Sequence, residues 1–358
     1  MSPKSCTRCL LSDDVPGVTI ESGGLCSVCT GYDREWANWD EAKKARLAAL
    51  EGLFRKIKKK AALYDVLVPL SGGKDSTYVL YLCRESFGLK CLAVTFDNGF
   101  LSDHAKKNIG KACEALKVDH VFFSLDRDLM MRIYRYAFLK TGYFCPLCLH
   151  AMGATVSRIQ KAFGIPLCVK GTARRTEEHV AKEFFVSSND FAETVLKGSP
   201  LEREARILME PVGIFKSPPA IQLPDFVDWK YDEIYATITE KLGWEAPTPK
   251  AEHSDCVVDN IVNWIRYKRF PALIPEMLRF SKLVTVGQMS REEAEKTVEG
   301  QKVHCEEPSN LSDFLKALSI TPEEFRAAVA DPLKHLPYLK PQNRVVRRLK
   351  ALKRRVGL

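Results

Sequence analysis

No stretch of this chain approaches the roughly eighteen consecutive apolar residues that a membrane span requires, so no membrane partner is expected. The N-terminus, MSPKSCTRC, has charge and cysteine but no apolar run, so no secretory signal is expected and the protein is placed in the cytoplasm. Internal repeats and low-complexity tracts are lacking, which argues against a solenoid or an extended linker. Acid is missing from one place in particular. Residues 344–355, RVVRRLKALKRR, hold no Asp or Glu. Val345, Val346, Leu349 and Leu352 mark an apolar stripe there, so this basic tail reads either as a solvated amphipathic helix or as a contact for RNA or an acidic partner. What remains is an ordinary globular composition in 358 residues, enough for one large core with small attachments. The net charge of +9 favours an anionic partner, which a polyphosphate nucleotide satisfies as well as RNA does.

The twelve cysteines are not expected to form a disulfide framework, because a reducing cytosol keeps thiols free. Cys6-Thr-Arg-Cys9 and Cys26-Ser-Val-Cys29 are two CxxC pairs sixteen residues apart, the pattern of a four-thiolate Zn²⁺ ribbon. About thirty residues cannot bury enough apolar surface to fold alone, so the metal is expected to supply the folding energy. Four protein thiolates leave no open coordination site, which makes the expected role structural.

Residues 32–60 read as a charged linker helix. Beyond it, short apolar runs alternate with helical segments. Strands are expected near 64–70, 90–96, 120–124 and 165–170, and helices near 104–116, 129–139 and from the Cys145 region to 162. This alternation predicts an α/β fold with a parallel, doubly wound sheet. Between the first strand and its helix stands Ser71-Gly72-Gly73-Lys74-Asp75-Ser76. Two adjacent glycines let the backbone approach an anion, and the first amides of the next helix point at it unpaired. Ser71 and Ser76 offer hydroxyl donors, Lys74 a charge, and Asp75 a carboxylate for Mg²⁺ or for orienting the loop. The string is shorter than GxxxxGK[ST]. As a bare structural reading it is a turn between a strand and a helix.

Following an apolar strand, this string resembles the phosphate loop of the PP-loop ATP pyrophosphatases. Thr95-Phe96-Asp97-Asn98-Gly99 is similar to that superfamily's second strand end, with Asp97 near the adenosine. Val169-Lys170-Gly171-Thr172 is similar to the strand end that closes over ribose and adenine. The resemblance covers roughly 64–180 and, more loosely, reaches about 260. It implies an enzyme in which a substrate oxygen attacks the α-phosphorus of ATP, pyrophosphate leaves, and a nitrogen or sulfur nucleophile then displaces AMP. Binding of pyrophosphate in the loop would stabilise the departing charge. The superfamily often forms dimers, which makes a homodimer possible here.

Two subfamilies compete for the nucleophile. The N-acetyl sugar amidotransferases of surface-polysaccharide synthesis begin with a similar ribbon carrying a Pro-Gly, here Val15-Pro16-Gly17-Val18. They also have a C-terminal segment like Val286-Gly287-Gln288-Met289-Ser290-Arg291-Glu292-Glu293-Ala294. That likeness implies ammonia from a separate glutaminase, since nothing in this chain looks like one. The PP-loop tRNA thiolases are resembled instead by Phe144-Cys145-Pro146-Leu147-Cys148 and a distant third cysteine, Cys256 in His253-Ser254-Asp255-Cys256, after a segment opening Glu210-Pro211-Val212. In those enzymes such a trio ligates a [4Fe–4S] cluster, and three thiolates on a cubane leave one iron open for exogenous sulfide. This likeness implies a sulfur donor, with a tRNA or a small carbonyl-bearing metabolite as substrate. Other readings of Cys145, Cys148 and Cys256 are a second zinc site with His253, persulfide chemistry, or plain packing.

Cys83, Cys91, Cys113 and Cys168 fall in expected helices or strands and read as buried small hydrophobes. Cys305, beside His304, reads as incidental. Arg174, Arg175 and His179 are candidates for holding phosphate or a substrate anion, or for a solvated helix start. Trp264, Tyr267 and Phe270 read as core, with a base-stacking platform as the alternative. The expected organisation is a zinc ribbon over 1–31, a linker helix over 32–61, the PP-loop domain over 62–250, and a helical C-terminal region with its basic tail over 251–358.

Overall fold

The computed structural model describes residues 3–15, 17–60, 63–176, 188–209, 218–246, 255–269, 271–272, 277–300 and 306–330. The expectations concerning His179, Glu210-Pro211-Val212, His253, Phe270, His304, Cys305 and the basic tail lie outside those residues.

The chain runs α1 (Ser27–Trp36), α2 (Trp39–Lys58), β1 (Val66–Pro69), α3 (Lys74–Tyr81), β2 (Cys91–Asp97), α4 (Asp103–Leu116), β3 (Asp119–Ser124), α5 (Arg127–Thr141), α6 (Cys145–Ala162) and β4 (Leu167–Lys170). It continues with α7 (Ser188–Leu196), α8 (Glu202–Met209), β5 (Ala220–Gln222), α9 (Tyr231–Leu242), α10 (Asp259–Arg269), α11 (Met277–Thr285), α12 (Arg291–Gly300), α13 (Leu311–Ala317) and α14 (Pro322–Val329). A π-helical turn, Leu82–Ser86, extends α3.

The five strands form one sheet in the order β3-β2-β1-β4-β5, and every pairing is parallel. Successive residues of β1 serve opposite faces, as the strand period demands. Val66 and Val68 pack with Val79 and Leu80 of α3, Ile109 and Ala112 of α4, and Ile234 and Ile238 of α9. Leu67 turns to the other face, with Val156 and Ile159 of α6. A third cluster, built on α5, α6, α7, α8, α10, α13 and α14, takes in Phe96 of β2. No helix among the described residues is long and apolar enough to cross a membrane.

Two features depart from the sequence reading. The linker is two helices, because Asn38 adopts a non-helical φ of −104° and Asp40 and Glu41 open α2 as a new first turn. The preceding helix begins at Ser27, capped by the Cys26 sulfur, so the second cysteine pair runs directly into it. The fifth strand was not expected. It is a three-residue edge strand after Pro218 and Pro219, too short for an alternating pattern to announce it.

Candidate functional site

The strand order reverses direction between β1 and β4, and a crevice outside the carboxyl ends of those strands is where open α/β sheets bind ligands. The loop 71–76 leaves β1 at this point. Gly72 has a φ of +82°, and a β-carbon there would collide with the Ala105 carbonyl, so only glycine fits. Gly73 is the N-cap of α3, and no side chain caps that helix, which leaves its first amides for an anion. Ser76 Oγ accepts from the Ser71 amide at 3.1 Å, donates toward the Gly73 carbonyl at 3.1 Å, and lies 3.1 Å from Ser71 Oγ. The Trp244 indole holds the Gly72 carbonyl at 2.9 Å. The buried Lys74 ammonium donates to Asp75 Oδ2 at 2.8 Å and sits 4.8 Å from the Tyr231 ring centre. Trp229 Nε1 donates to the other Asp75 oxygen at 2.9 Å.

The second and fourth strand ends complete the edge. Asp97 Oδ1 accepts from the Gly99 amide at 2.9 Å, which fixes its carboxylate at the end of β2. Gly171 follows β4 so close to α3 that a β-carbon would stand 3.1 Å from the Asp75 carbonyl and from Val79. Thr172, next to it, is exposed.

Distant in sequence, Cys256 reaches the same edge. It forms an antiparallel bridge with Leu101, secured by Ser102 N to Asp255 O at 2.9 Å and Val257 N to Phe100 O at 2.9 Å. Asn98 Nδ2 then points at two sulfurs, 3.5 Å from Cys148 and 3.9 Å from Cys256. Cys145 opens α6 one turn before Cys148. All three thiols are half-buried, and burial raises each pKa, to about 12 for Cys256. Sequence reasoning missed Asp255. Its Oδ2 would lie 3.9 Å from a β-carbon on Gly73, so it joins the thiol group to the phosphate loop. Its position beside Cys256 was the available signal.

The N-terminal cysteines close on one another. The sulfurs of Cys6, Cys9, Cys26 and Cys29 all lie within 4.8 Å, buried, with Cys9–Cys26 at 3.6 Å and Cys6–Cys29 at 3.9 Å. A tetrahedron of thiolates at the usual zinc–sulfur distance of about 2.3 Å has edges of about 3.8 Å. Backbone amides of Arg8 and Cys26 point at the Cys6 sulfur at 3.4 and 3.3 Å, the outer bonds that such a metal shell uses. This is a four-thiolate metal-binding site.

Other candidates are engaged elsewhere. Arg174 Nε donates to both Asp225 oxygens at 3.2 and 3.0 Å, and its Nη1 lies 3.5 Å from Glu35. Arg175, buried, lies 3.3 Å from the Trp39 ring centre and donates to the Pro224 and Val227 carbonyls. Both guanidiniums therefore dock the N-terminal helices against the segment after β4. Trp264 is core, stacked on Phe325 at 6.1 Å. Cys83, Cys91 and Cys168 are buried, while Cys113 is half-buried. A cleft between α6, β4 and β5 is lined by His150, Ser157, Gln160, Lys170 and Asn189 among others.

These features define a parallel α/β protein with a PP-loop-like cradle at its switch point and a four-thiolate metal site. Residues 261–353 match the LPS biosynthesis protein WbpG-like C-terminal domain family. The chain is 24% identical over 286 residues to uncharacterized protein MJ1599 of Methanocaldococcus jannaschii, covering 80% of this chain and 89% of that one. Among solved structures it is similar to the U34-tRNA thiolase NcsA from Methanococcus maripaludis with its [4Fe-4S] cluster, at 15% identity and a TM-score of 0.34, covering 84% of this chain and 89% of that one. It is also similar to NMN synthetase from Francisella tularensis, at 12% identity and a TM-score of 0.34, covering 78% and 97%.

Proposed function

We propose that this chain is a PP-loop ATP pyrophosphatase that adenylates a carbonyl oxygen and then replaces it with sulfur, a sulfurtransferase. The carbonyl oxygen attacks the α-phosphorus and pyrophosphate leaves into the cradle of Ser71, Gly72, Gly73, Lys74, Asp75 and Ser76. Sulfide adds to the activated carbon, and AMP departs carrying the former carbonyl oxygen. Asp97, Gly171 and Thr172 bound the nucleoside end of the crevice, Asp75 orients the loop through Lys74 and Trp229, and Asp255 is the carboxylate offered to Mg²⁺. In this reading Cys6, Cys9, Cys26 and Cys29 would hold Zn²⁺, and Cys145, Cys148 and Cys256 would hold a [4Fe–4S] cluster that supplies sulfide. A cubane on three thiolates leaves one iron open to sulfide. The acceptor is a tRNA base or a small carbonyl-bearing metabolite.

The observation that carries the reading is the convergence of Cys256 and Cys148 on Asn98, one residue past Asp97 and at the same sheet edge as the loop. Anaerobic purification tests it. Iron and acid-labile sulfide at about four each per chain support it, and loss of both in Cys256→Ser ties them to the trio. A colourless protein holding zinc alone after cluster reconstitution would sink the sulfur step. Release of orthophosphate without pyrophosphate from ATP would sink the ATP chemistry as well.

A second reading is favoured by the WbpG-like match over residues 261–353. In it the nucleophile is ammonia from a partner glutaminase and the product is an amidine on an N-acetyl sugar. Turnover of a nucleotide sugar with ATP and ammonium, unaffected by Cys145→Ser, would select it.

A further inference from the structure

The segment 286–294, one of the stretches that resemble the amidotransferases, touches both the four-thiolate site and the residues behind the phosphate loop. Arg291 Nη1 donates to the carbonyls of Cys6 and Cys9 at 2.7 and 2.8 Å, bracing the first cysteine knuckle. Three residues earlier, Gln288 Nε2 donates to the Trp229 carbonyl at 2.8 Å. Trp229, 1% exposed and edge-on to Tyr78, is the residue whose indole holds Asp75, and Asp75 in turn holds Lys74. A parallel route runs along α11. Thr285 Oγ1 lies 3.3 Å from the Cys29 sulfur, Lys282 Nζ lies 4.9 Å from the Tyr32 ring centre, and Arg279 Cζ lies 5.0 Å from that of Tyr231, the ring that also receives Lys74.

We propose that residues 279–291 form a strut between the four-thiolate site and the phosphate loop, and that Gln288 and Trp229 are positioning residues for Asp75 and Lys74. Apolar packing alone would join the thiolate segment to the sheet. Here the side-chain contacts are hydrogen bonds or cations over aromatic faces, joined by the backbone of 279–291, and one route ends on Asp75 and the other on Lys74, the two charged residues that open α3. An arriving polyphosphate must draw Lys74 partly away from Asp75. A carboxylate anchored by an indole stays behind, so the ammonium moves only the short distance to the cradle. With Asp75 unanchored, its carboxylate can follow the ammonium and the cradle loses its definition. Metal in the thiolate site would fix the Cys6 and Cys9 carbonyls that Arg291 grips, so its seating reaches the loop through the same contacts.

The inference rests on the reading of 71–76 as a polyphosphate site, but its main measurement needs no ligand. Gln288→Met keeps side-chain length on an exposed residue and removes the donor; Trp229→Phe keeps the ring against Tyr78 and removes the N–H. In the full chain, amide hydrogen exchange across 71–77 is expected to accelerate about threefold or more in both variants, with exchange at 26–36 unchanged. Removal of the thiolate-bound metal by a chelator is expected to accelerate the same amides. Inorganic pyrophosphate is expected to bind about three- to tenfold more weakly to both variants. Wild-type exchange rates across 71–77 in Gln288→Met, with 286–291 alone accelerated, overturn the proposal and leave the contacts as packing. Should Trp229→Phe fail to fold, Gln288→Met decides alone. A wild-type protein that binds neither pyrophosphate nor ATP overturns the phosphate-site reading, while the exchange comparison still tests the strut.

Discussion

Asp255 faces Gly73: its Oδ2 is 3.9 Å from the place a β-carbon would occupy on that glycine, although the two residues lie at opposite ends of the sheet region in sequence. A carboxylate so near an anion cradle repels bare polyphosphate and attracts it when Mg²⁺ bridges the two. Asp255→Asn is therefore expected to bind metal-free ATP at least as well as wild type and to lose most of the gain from Mg²⁺. Calorimetric titrations with and without Mg²⁺ measure both. An unchanged Mg²⁺ effect would remove Asp255 from the site.

Gly72 combines a φ of +82° with a clash between any β-carbon and the Ala105 backbone. Gly72→Ala is expected to cost at least about 2 kcal/mol, from left-handed strain and displaced backbone. Urea unfolding reads the loss of stability, and ATP binding should fall with it.

For Arg175 the expectation separates support from ligand binding. Arg175→Ala removes a buried cation from the Trp39 face and leaves the Pro224 and Val227 carbonyls without this donor. The cost is expected to be about 3 kcal/mol in unfolding free energy. Under conditions where the variant is folded, its affinity for ATP should match wild type within about twofold, a difference under about 0.5 kcal/mol. A large selective loss of affinity would return Arg175 to the phosphate site.

Asn98 presents its amide to Cys148 and Cys256. Asn98→Asp replaces that donor with an anion facing the sulfurs, which disfavours thiolates and a sulfur-rich cluster. On the cluster reading, iron per chain is expected to fall by more than half in Asn98→Asp. Metal at Cys6, Cys9, Cys26 and Cys29 should be unaffected. Elemental analysis of anaerobic protein distinguishes the two pools.

His120 supplies a pH dependence. Thr95 donates its hydroxyl hydrogen to the Leu70 carbonyl at 2.6 Å, so the His120 Nε2–H must donate to Thr95 Oγ1 at 2.8 Å. Burial lowers the His120 pKa below its ordinary value. The unfolded chain then takes up the proton first as the pH falls. This contribution to stability is complete at neutral pH and above, and declines as the pH drops below about 6.5. His120→Gln is expected to flatten the stability profile between about pH 5 and 7. An unaltered slope would mean that other groups dominate.

The parallel sheet was legible because its strands carry their signal locally. β1, β2 and β4 are runs of β-branched and apolar residues with few neighbours of another kind, and the glycines after β1 mark the turn. The break at Asn38 was also written in the sequence, since Asn followed by Asp40 and Glu41 is a helix start, but the aromatic and charged residues around it masked the signal. β5 was not legible, because three residues at a sheet edge draw their pairing from β4 rather than from their own pattern.

The sequence by itself determined the local chemistry: an anion cradle in SGGKDS, two thiol knuckles at metal spacing, and alternating elements that can fold only as a covered parallel sheet. Each depends on residues within a few positions of one another, where backbone geometry and side-chain type suffice. Only the tertiary structure decided which distant groups meet. It engaged Arg174 and Arg175 with Asp225 and Trp39, brought Asp255 and Cys256 to the loop and to Asn98, and set Gln288 behind Trp229 and Asp75. Those encounters depend on how helices far apart in the chain share the faces and edge of one sheet, and a buried hydrogen bond between distant side chains leaves no mark in the local pattern of either.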